Sequence, residues 1–352
     1  MAILILPAAG LSTRYGVGKP KFLLQSPNCR PMIAEALSGF INFEKSGLTS
    51  ICVISLKEYF EDISTDYFIS EIQRVLPLPV ELILLDHPTQ SMVHTISKFL
   101  ITLKSDEEII IKDCDNLVQL DLAKFAGVKN AISYVNLKNY SNIVAHNKSF
   151  LRISSAGVLD DIIEKEIISS FINIGCIKFA SASSFLSTIN SLHSNSELFV
   201  SDVVRAMVSV GEGFQTLEAE HYEDWGTLSE WKHYCQKFAT YFIDIDGVIS
   251  FNTDPLKLNM NWESFRSLEN NCKYLVSLQG KVKMVFTTSR SEDKRNFLEE
   301  QLKSLGFENF DLIMGLPHAK RILINDFAPT NPYPSAIAIN LPRNLDNLQD
   351  YI

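Results

Sequence analysis

The chain alternates short, uninterrupted apolar runs with stretches whose apolar residues recur at helical spacing. Runs rich in Ile, Val, Leu and Phe predict strands over 3–6, 51–55, 81–85, 108–112, 171–179, 241–245, 282–287 and 322–324. Between them, apolar positions three and four apart predict helices over 31–40, 67–75, 91–103, 200–208, 228–237 and 292–305. Strands alternating with helices are the pattern of an α/β fold. A continuously apolar strand such as "EIIIK" predicts a sheet covered on both faces. After the helical stretch "TLSEWKHYCQKF" a new strand–acid–turn unit begins, so two domains are expected, 1–236 and 237–352.

Composition narrows the classes of function. With 352 residues, 46% hydrophobic and 21% charged, the chain has material for two ordinary cores and no disordered character. A net charge of −9 argues against broad adhesion to nucleic acid or to an anionic membrane, so any bound anion must be held locally. The six cysteines form no CxxC pair, which predicts reduced thiols and a cytoplasmic protein. The opening "MAILILPAAGL" lacks a basic region and is too short to span a bilayer. An oligomer is compatible with all of this.

The chemistry-bearing residues gather where predicted strands end, which is where α/β folds bind ligands. "PAAGLSTRYGVGKPK" follows the first strand with Gly10, Ser12, Thr13, Arg14, Gly16, Gly18 and Lys21. A glycine-rich loop brings backbone N–H groups close to phosphate oxygens, and flanking cations add charge-assisted hydrogen bonds. The plainer alternative is a surface loop with solvated lysines. In "LLDHPTQSMVHTI", Thr89, Gln90 and Ser91 stand at a strand–helix junction, where they can read a base edge or simply cap the helix through Ser91. "IIIKDCDN" ends a buried strand in Asp113 and Asp115, carboxylates suited to Mg²⁺ beside phosphate, or to a solvated acidic turn. His87 and His94 read as structural or base-proximal.

These stretches resemble the sugar-phosphate nucleotidyltransferases, whose signature loop reads AAG-x-x-x-R and continues to a proline–lysine pair. The resemblance covers residues 1 to about 236 and implies a Rossmann-like domain with a mixed, mostly parallel sheet. It implies that Ala8, Ala9, Gly10, Ser12 and Thr13 cradle the nucleotide with Thr89, Gln90 and Ser91, and that Arg14 and Lys21 are catalytic. It further implies a Mg²⁺ held by Asp115 with Asp113 in support, completed by Asp224 of "YEDWGTLSEW", and an acceptor pocket including Asn173, Gly175 and Glu197. Thr227 in the same stretch also suits a helix cap. Ser12 departs from the second glycine of many relatives. The partners implied are a nucleoside triphosphate, with CTP favoured and UTP or GTP open, and a sugar or polyol phosphate.

The second half repeats the plan with acids. "YFIDIDGVIS" places Asp244 and Asp246 at a strand end, and resembles the haloacid-dehalogenase-like phosphatases in a small form without a cap. The resemblance implies Asp244 as nucleophile, Asp246 as general acid–base, Thr288 of "KVKMVFTTSR" as phosphoryl ligand, and Mg²⁺ on Asp244, Asp246 and Asp326. Arg290 follows in a T-x-R form. Asn325 stands where many relatives have Asp, and Leu316 where the pairing lysine is usual, leaving Lys320 or Arg321 to supply the charge. The combined expectation is a bifunctional enzyme of surface-polysaccharide precursor synthesis. The alternatives are a nucleotidyltransferase with an inactive second domain, or a nucleotide-binding regulator without turnover.

Overall fold

The first apolar run forms β1 (Ala2–Pro7), which pairs in parallel with β3 (Leu48–Leu56) on one side and β5 (Glu108–Lys112) on the other. Leu4 and Leu6 pack into one apolar cluster and Ile5 into a second, so both faces of the strand are covered. That double coverage is why these strands are apolar at consecutive positions rather than alternate ones. The computed structural model describes residues 2–11, 15, 20–140, 143–192, 197–252, 265–326 and 336–352. The chain divides into two compact units, Met1–Tyr234 and Cys235–Ile352.

In unit 1 the main sheet runs β11 (Phe214–Glu218), β7 (Asn130–Asn136), β10 (Phe171–Phe179), β5, β1, β3 and β4 (Val80–Leu85). The sheet is mixed: β5, β1, β3 and β4 are parallel, whereas β10 is antiparallel to both neighbours. The hairpin of β8 (Ser149–Ile153) and β9 (Leu159–Glu164) extends from β10. A small sheet of β12 (His221–Asp224), β6 (Asn116–Asp121) and β2 (Phe40–Ile41) continues from the turn after β5. Helices α2 (Thr65–Val75), α3 (Met92–Leu100), α4 (Ala182–Ser191), α5 (Val200–Ser209) and α6 (Leu228–Cys235) complete the pattern. The helix expected over 31–40 shortens to α1 (Met32–Glu35), because the chain turns to bring Gly39 against β6. A Cβ on Gly39 would lie 2.4 Å from the carbonyl oxygen of Val118, so only glycine allows that approach.

Unit 2 is built on the parallel strands β13 (Ala239–Asp244), β14 (Val282–Thr287) and β15 (Phe310–Ile313). Helices α7 (Glu269–Ser277) and α8 (Arg295–Ser304) bury Leu275, Leu298 and Leu302 against Ile243 and Phe286. The strand expected over 322–324 does not form, and Ile322 and Ile324 are 72% and 87% exposed. Only residues 314–321 separate it from β15, whereas a crossover between parallel strands takes about a dozen residues or more.

Candidate active site

Because β1, β5 and β4 are parallel, the segments that follow them leave the same edge of the sheet. A cavity of about 560 Å³ opens there, within the usual size of small-ligand sites. Its wall includes Ala8, Ala9 and Gly10 from the loop after β1, Thr89, Gln90 and Ser91 from the loop after β4, and Asp113 and Asp115 from the turn after β5. Lys21, Glu197 and Asp224 complete the residues foreseen in the sequence. Arg14, Ser12 and Thr13 lie outside the described residues. Ala8 and Ala9 are buried, and Ala8 is tied to β3 by its N–H to the carbonyl of Ile54, 2.7 Å. A Cβ on Gly10 would meet nothing within 4 Å, so the loop leaves open space on that side.

Lys21 is held in place by its neighbour. Phe22 is buried among Phe60, Phe68 and Tyr59, with ring centroids 6.1–6.3 Å away. This anchor presents the Lys21 ammonium to the cavity, where it forms an ion pair with Asp115 Oδ2. At the β4–α3 junction, Ser91 caps α3 by accepting the N–H of His94 and also bonds His94 Nδ1, 2.9 Å. Thr89 Oγ1 is committed to Thr95 Oγ1 at 2.6 Å and to the carbonyl of Ser91 at 2.9 Å. The Gln90 amide makes no hydrogen bond among the described residues, which leaves it as the polar group of this junction able to face a ligand.

The three acids have distinct environments. Burial raises the pKa of Asp115, but Lys21, Lys148 and Lys112 overcome that and hold it well below the ordinary carboxylate range. Burial, then the adjacent Asp115 charge, push Asp113 up to about 6. Asp113 packs against Gly175, whose φ is +67° and whose missing Cβ would fall 1.9 Å from Asp113 Oδ2. The Asp113 N–H donates to the Gly175 carbonyl, and Asn173 Oδ1 accepts the Gly175 N–H. Asn173 and Gly175 thus stand behind Asp113 and are not part of the cavity wall. Asp224, at the end of β12, forms an ion pair through Oδ2 with Lys148, and its Oδ1 accepts the Gly226 N–H at 3.3 Å.

Three residues of this site, Lys148, Tyr222 and Lys112, have no role assigned from the sequence. Lys148, just before β8, is fixed by Asp224 and by the Tyr222 hydroxyl at 3.1 Å. Burial opposes its charge, but Tyr222 and Asp224 more than compensate and raise its pKa. Lys112 is fully buried and donates to the carbonyls of Asp113, 2.6 Å, and Asn116, 3.1 Å, which fixes the turn carrying the two aspartates. A lysine inside "EIIIKDCD" was a visible signal, since buried lysines need partners. Lys148 gave none, because its placement depends on a strand of mixed polarity.

The donor set fits a magnesium ion. Asp224 Oδ1, Glu230 Oε2 and Asp115 Oδ2 lie 3.4, 3.6 and 4.0 Å from where a Cβ on Gly226 would stand, so carboxylate oxygens of Asp115 and Asp224 both border Gly226 on the cavity wall. Among the described residues no group of three or more His, Cys, Asp and Glu side chains has metal-binding geometry. Mg²⁺ takes one or two carboxylates and fills its shell with phosphate and water, a set that Asp115 and Asp224 can supply together with a bound triphosphate.

In unit 2, Asp244 ends β13 and Asp246 follows it. Thr288 Oγ1 donates to Asp246 Oδ2 at 2.9 Å, and Arg290 donates to Asp246 Oδ1 through Nη2 at 2.6 Å and Nε at 3.1 Å. Burial, then Asp246, raise the pKa of Asp244, against the opposing charges of Arg321 and His318. The Leu316 N–H donates to the Thr288 carbonyl at 3.1 Å, so an aliphatic side chain stands beside this cluster. Lys320 is exposed and makes no ion pair among the described residues. Asp326 is exposed in the segment that forms no strand, and it does not join Asp244 and Asp246 in a three-acid cluster.

Over about two thirds of the chain the fold is the α/β fold of solved nucleotidyltransferase structures. Three of these structures illustrate the likeness. A nucleoside-diphosphate-sugar pyrophosphorylase from Vibrio cholerae RC9 is 15% identical with a TM-score of 0.54, covering 67% of this chain and 100% of its own. A putative glucose-1-phosphate thymidylyltransferase from Bacillus anthracis is 16% identical, TM-score 0.53, with 67% and 94% covered. The inositol-1-phosphate CTP transferase from T. maritima is 12% identical, TM-score 0.51, with 65% and 90% covered. No family model matches the chain, and no curated protein is significantly similar to it. At such identities the likeness establishes the fold. The remaining third carries a small parallel sheet.

Proposed function

We propose that unit 1 transfers a nucleotidyl group from a nucleoside triphosphate to a sugar or polyol phosphate, releasing pyrophosphate. The carrying observation is that four chain-distant stretches predicted to bind a nucleotide or its metal line one cavity: residues 8–10 with Lys21, Thr89 to Ser91, Asp113 with Asp115, and Asp224. In this reading the loop after β1 receives the triphosphate and the β4–α3 junction the base. An oxygen of the acceptor phosphate attacks the α-phosphorus while the bond to the β-phosphate oxygen breaks, and pyrophosphate carries away that electron pair. Lys21, with Arg14, stabilises the charge that gathers on the transferred group. Asp115 and Asp224 are the residues that would hold Mg²⁺, which supplies Lewis-acid neutralisation of the phosphates when bound. No side-chain nucleophile is needed, because positioning and electrostatics supply the rate. The test is pyrophosphate release from CTP, UTP, GTP and ATP against a panel of sugar and polyol phosphates. CTP is expected to serve best; no release from any pair would refute the reading.

For unit 2 we propose that an Asp244 carboxylate oxygen attacks the phosphorus of a phosphate monoester while the ester P–O bond breaks and the alcohol leaves. Water then cleaves the aspartyl-phosphate to inorganic phosphate. The meeting of Asp246 and Thr288 at the strand ends beside Asp244 supports this reading. Hydrolysis of a generic aryl phosphate by Asp244→Asn should fall to background. Equal rates for the variant and the natural chain would remove Asp244 from this role.

A further inference from the structure

The oxygen of Asp115 nearest Gly226 is the same oxygen that Lys21 holds. Asp115 Oδ2 lies 4.0 Å from where a Cβ on Gly226 would stand, Asp224 Oδ1 lies 3.4 Å from the same place, and the Lys21 ammonium is bonded to Asp115 Oδ2. Asp224 is arranged differently, since Lys148 takes Oδ2 while Oδ1, the oxygen nearest Gly226, accepts the Gly226 N–H at 3.3 Å. The two lysines bring equal charge to one cavity, but Lys21 takes the Asp115 oxygen nearest Gly226, whereas Lys148 takes the Asp224 oxygen that is not nearest Gly226.

We propose that Lys21 competes with the divalent ion for Asp115 Oδ2, so that the ion binds weakly until triphosphate draws the lysine away. The inference rests on the nucleotidyltransferase reading of this cavity. It goes beyond that reading by making Lys21 a gate on metal entry as well as a phosphate ligand. The consequence is mutual: whatever releases Lys21 from Asp115 tightens metal binding, and metal on Asp115 frees Lys21 for phosphate, by linkage. Metal and nucleotide then enter together, and the free protein carries little metal.

The experiment measures Mn²⁺ binding to the full chain by electron paramagnetic resonance, without nucleotide. Lys21→Met should bind Mn²⁺ at least about tenfold more tightly than the natural chain, the worth of one charge-assisted hydrogen bond removed from the competition. Lys148→Met removes the same charge from the same cavity, so its gain should be clearly smaller. In a double-mutant cycle the gain of Lys21→Met should vanish on an Asp115→Asn background. No gain for Lys21→Met, an equal gain for Lys148→Met, or a gain that survives Asp115→Asn would each overturn the proposal. Should Asp115→Asn fail to fold, the comparison of the two lysine variants decides alone. These readings need no turnover, so failure of the gate is distinguishable from failure of pyrophosphate release.

Discussion

Replacing Gly175 by alanine tests whether the site's acids are held as the structure describes. Two costs are expected. The first is backbone: φ is +67°, where an L side chain costs about 1 kcal/mol. The second is collision, because the new Cβ would lie 1.9 Å from Asp113 Oδ2 and 2.4 Å from Cγ. Neither distance is tolerable, so the Asp113 side chain must leave its buried place, at roughly 2 kcal/mol for disrupted packing. The sum is about 3 kcal/mol in the natural chain, measured by urea denaturation of the transition assigned to unit 1. With Asp113→Gly as background the collision is gone, and Gly175→Ala should cost only about 1 kcal/mol, the backbone share. Equal costs in the two backgrounds would show that Asp113 does not occupy the space beside Gly175, and the arrangement of the acids would have to be redrawn.

Other consequences follow from the same geometry. Lys21→Met should lower the rate of pyrophosphate release about 10²–10³-fold at saturating substrate, the usual loss for one charge-stabilising donor, and a loss under twofold would exclude Lys21 from catalysis. The raised pKa of Asp113 means that the folded state favours its proton. Its contribution to stability is full below the ordinary value near 3.8 and is lost as pH rises through about 6. Asp113→Asn should therefore gain stability relative to the natural chain between pH 5 and 7.5, by roughly 1–2 kcal/mol in denaturant titrations, and a flat difference would contradict the shift. Arg290→Gln leaves Asp246 without its main partner, so unit 2 should lose about 2–3 kcal/mol, seen as an earlier unfolding transition.

What could be read from the chain beforehand followed from burial. The strands β5, β10 and β14 were legible to the residue, because Ile, Val, Phe and Met dominate each of them between polar turns. The strands β2, β6, β7, β8, β9, β11, β12 and β15 went unforeseen. Of these, "SFLRI", "LDDIIE" and "HYED" mix charge with apolar residues in hairpins and at edges, whereas β7, "NAISYVN", is inside the sheet but carries polar residues along its length. The same blindness hid Lys148 and Tyr222, whose neighbours across the cavity are set by those strands. Residues 322–324 failed the opposite way: a run with the composition of a strand has too little chain before it to reach one. Acids at the ends of the legible strands, Asp113, Asp115 and Asp244, were found because strand ends are where α/β sheets present chemistry. Asn173 and Gly175 were assigned to the acceptor by resemblance, and the structure places them behind Asp113.

The most direct test of nucleotidyl transfer uses CTP labelled at the α-phosphorus. With magnesium and a reactive acceptor phosphate, the label should pass to a product joined to the sugar or polyol, in equal amount to the pyrophosphate released. Label that stays in nucleotide across the whole acceptor panel, with each of the common triphosphates, would contradict it.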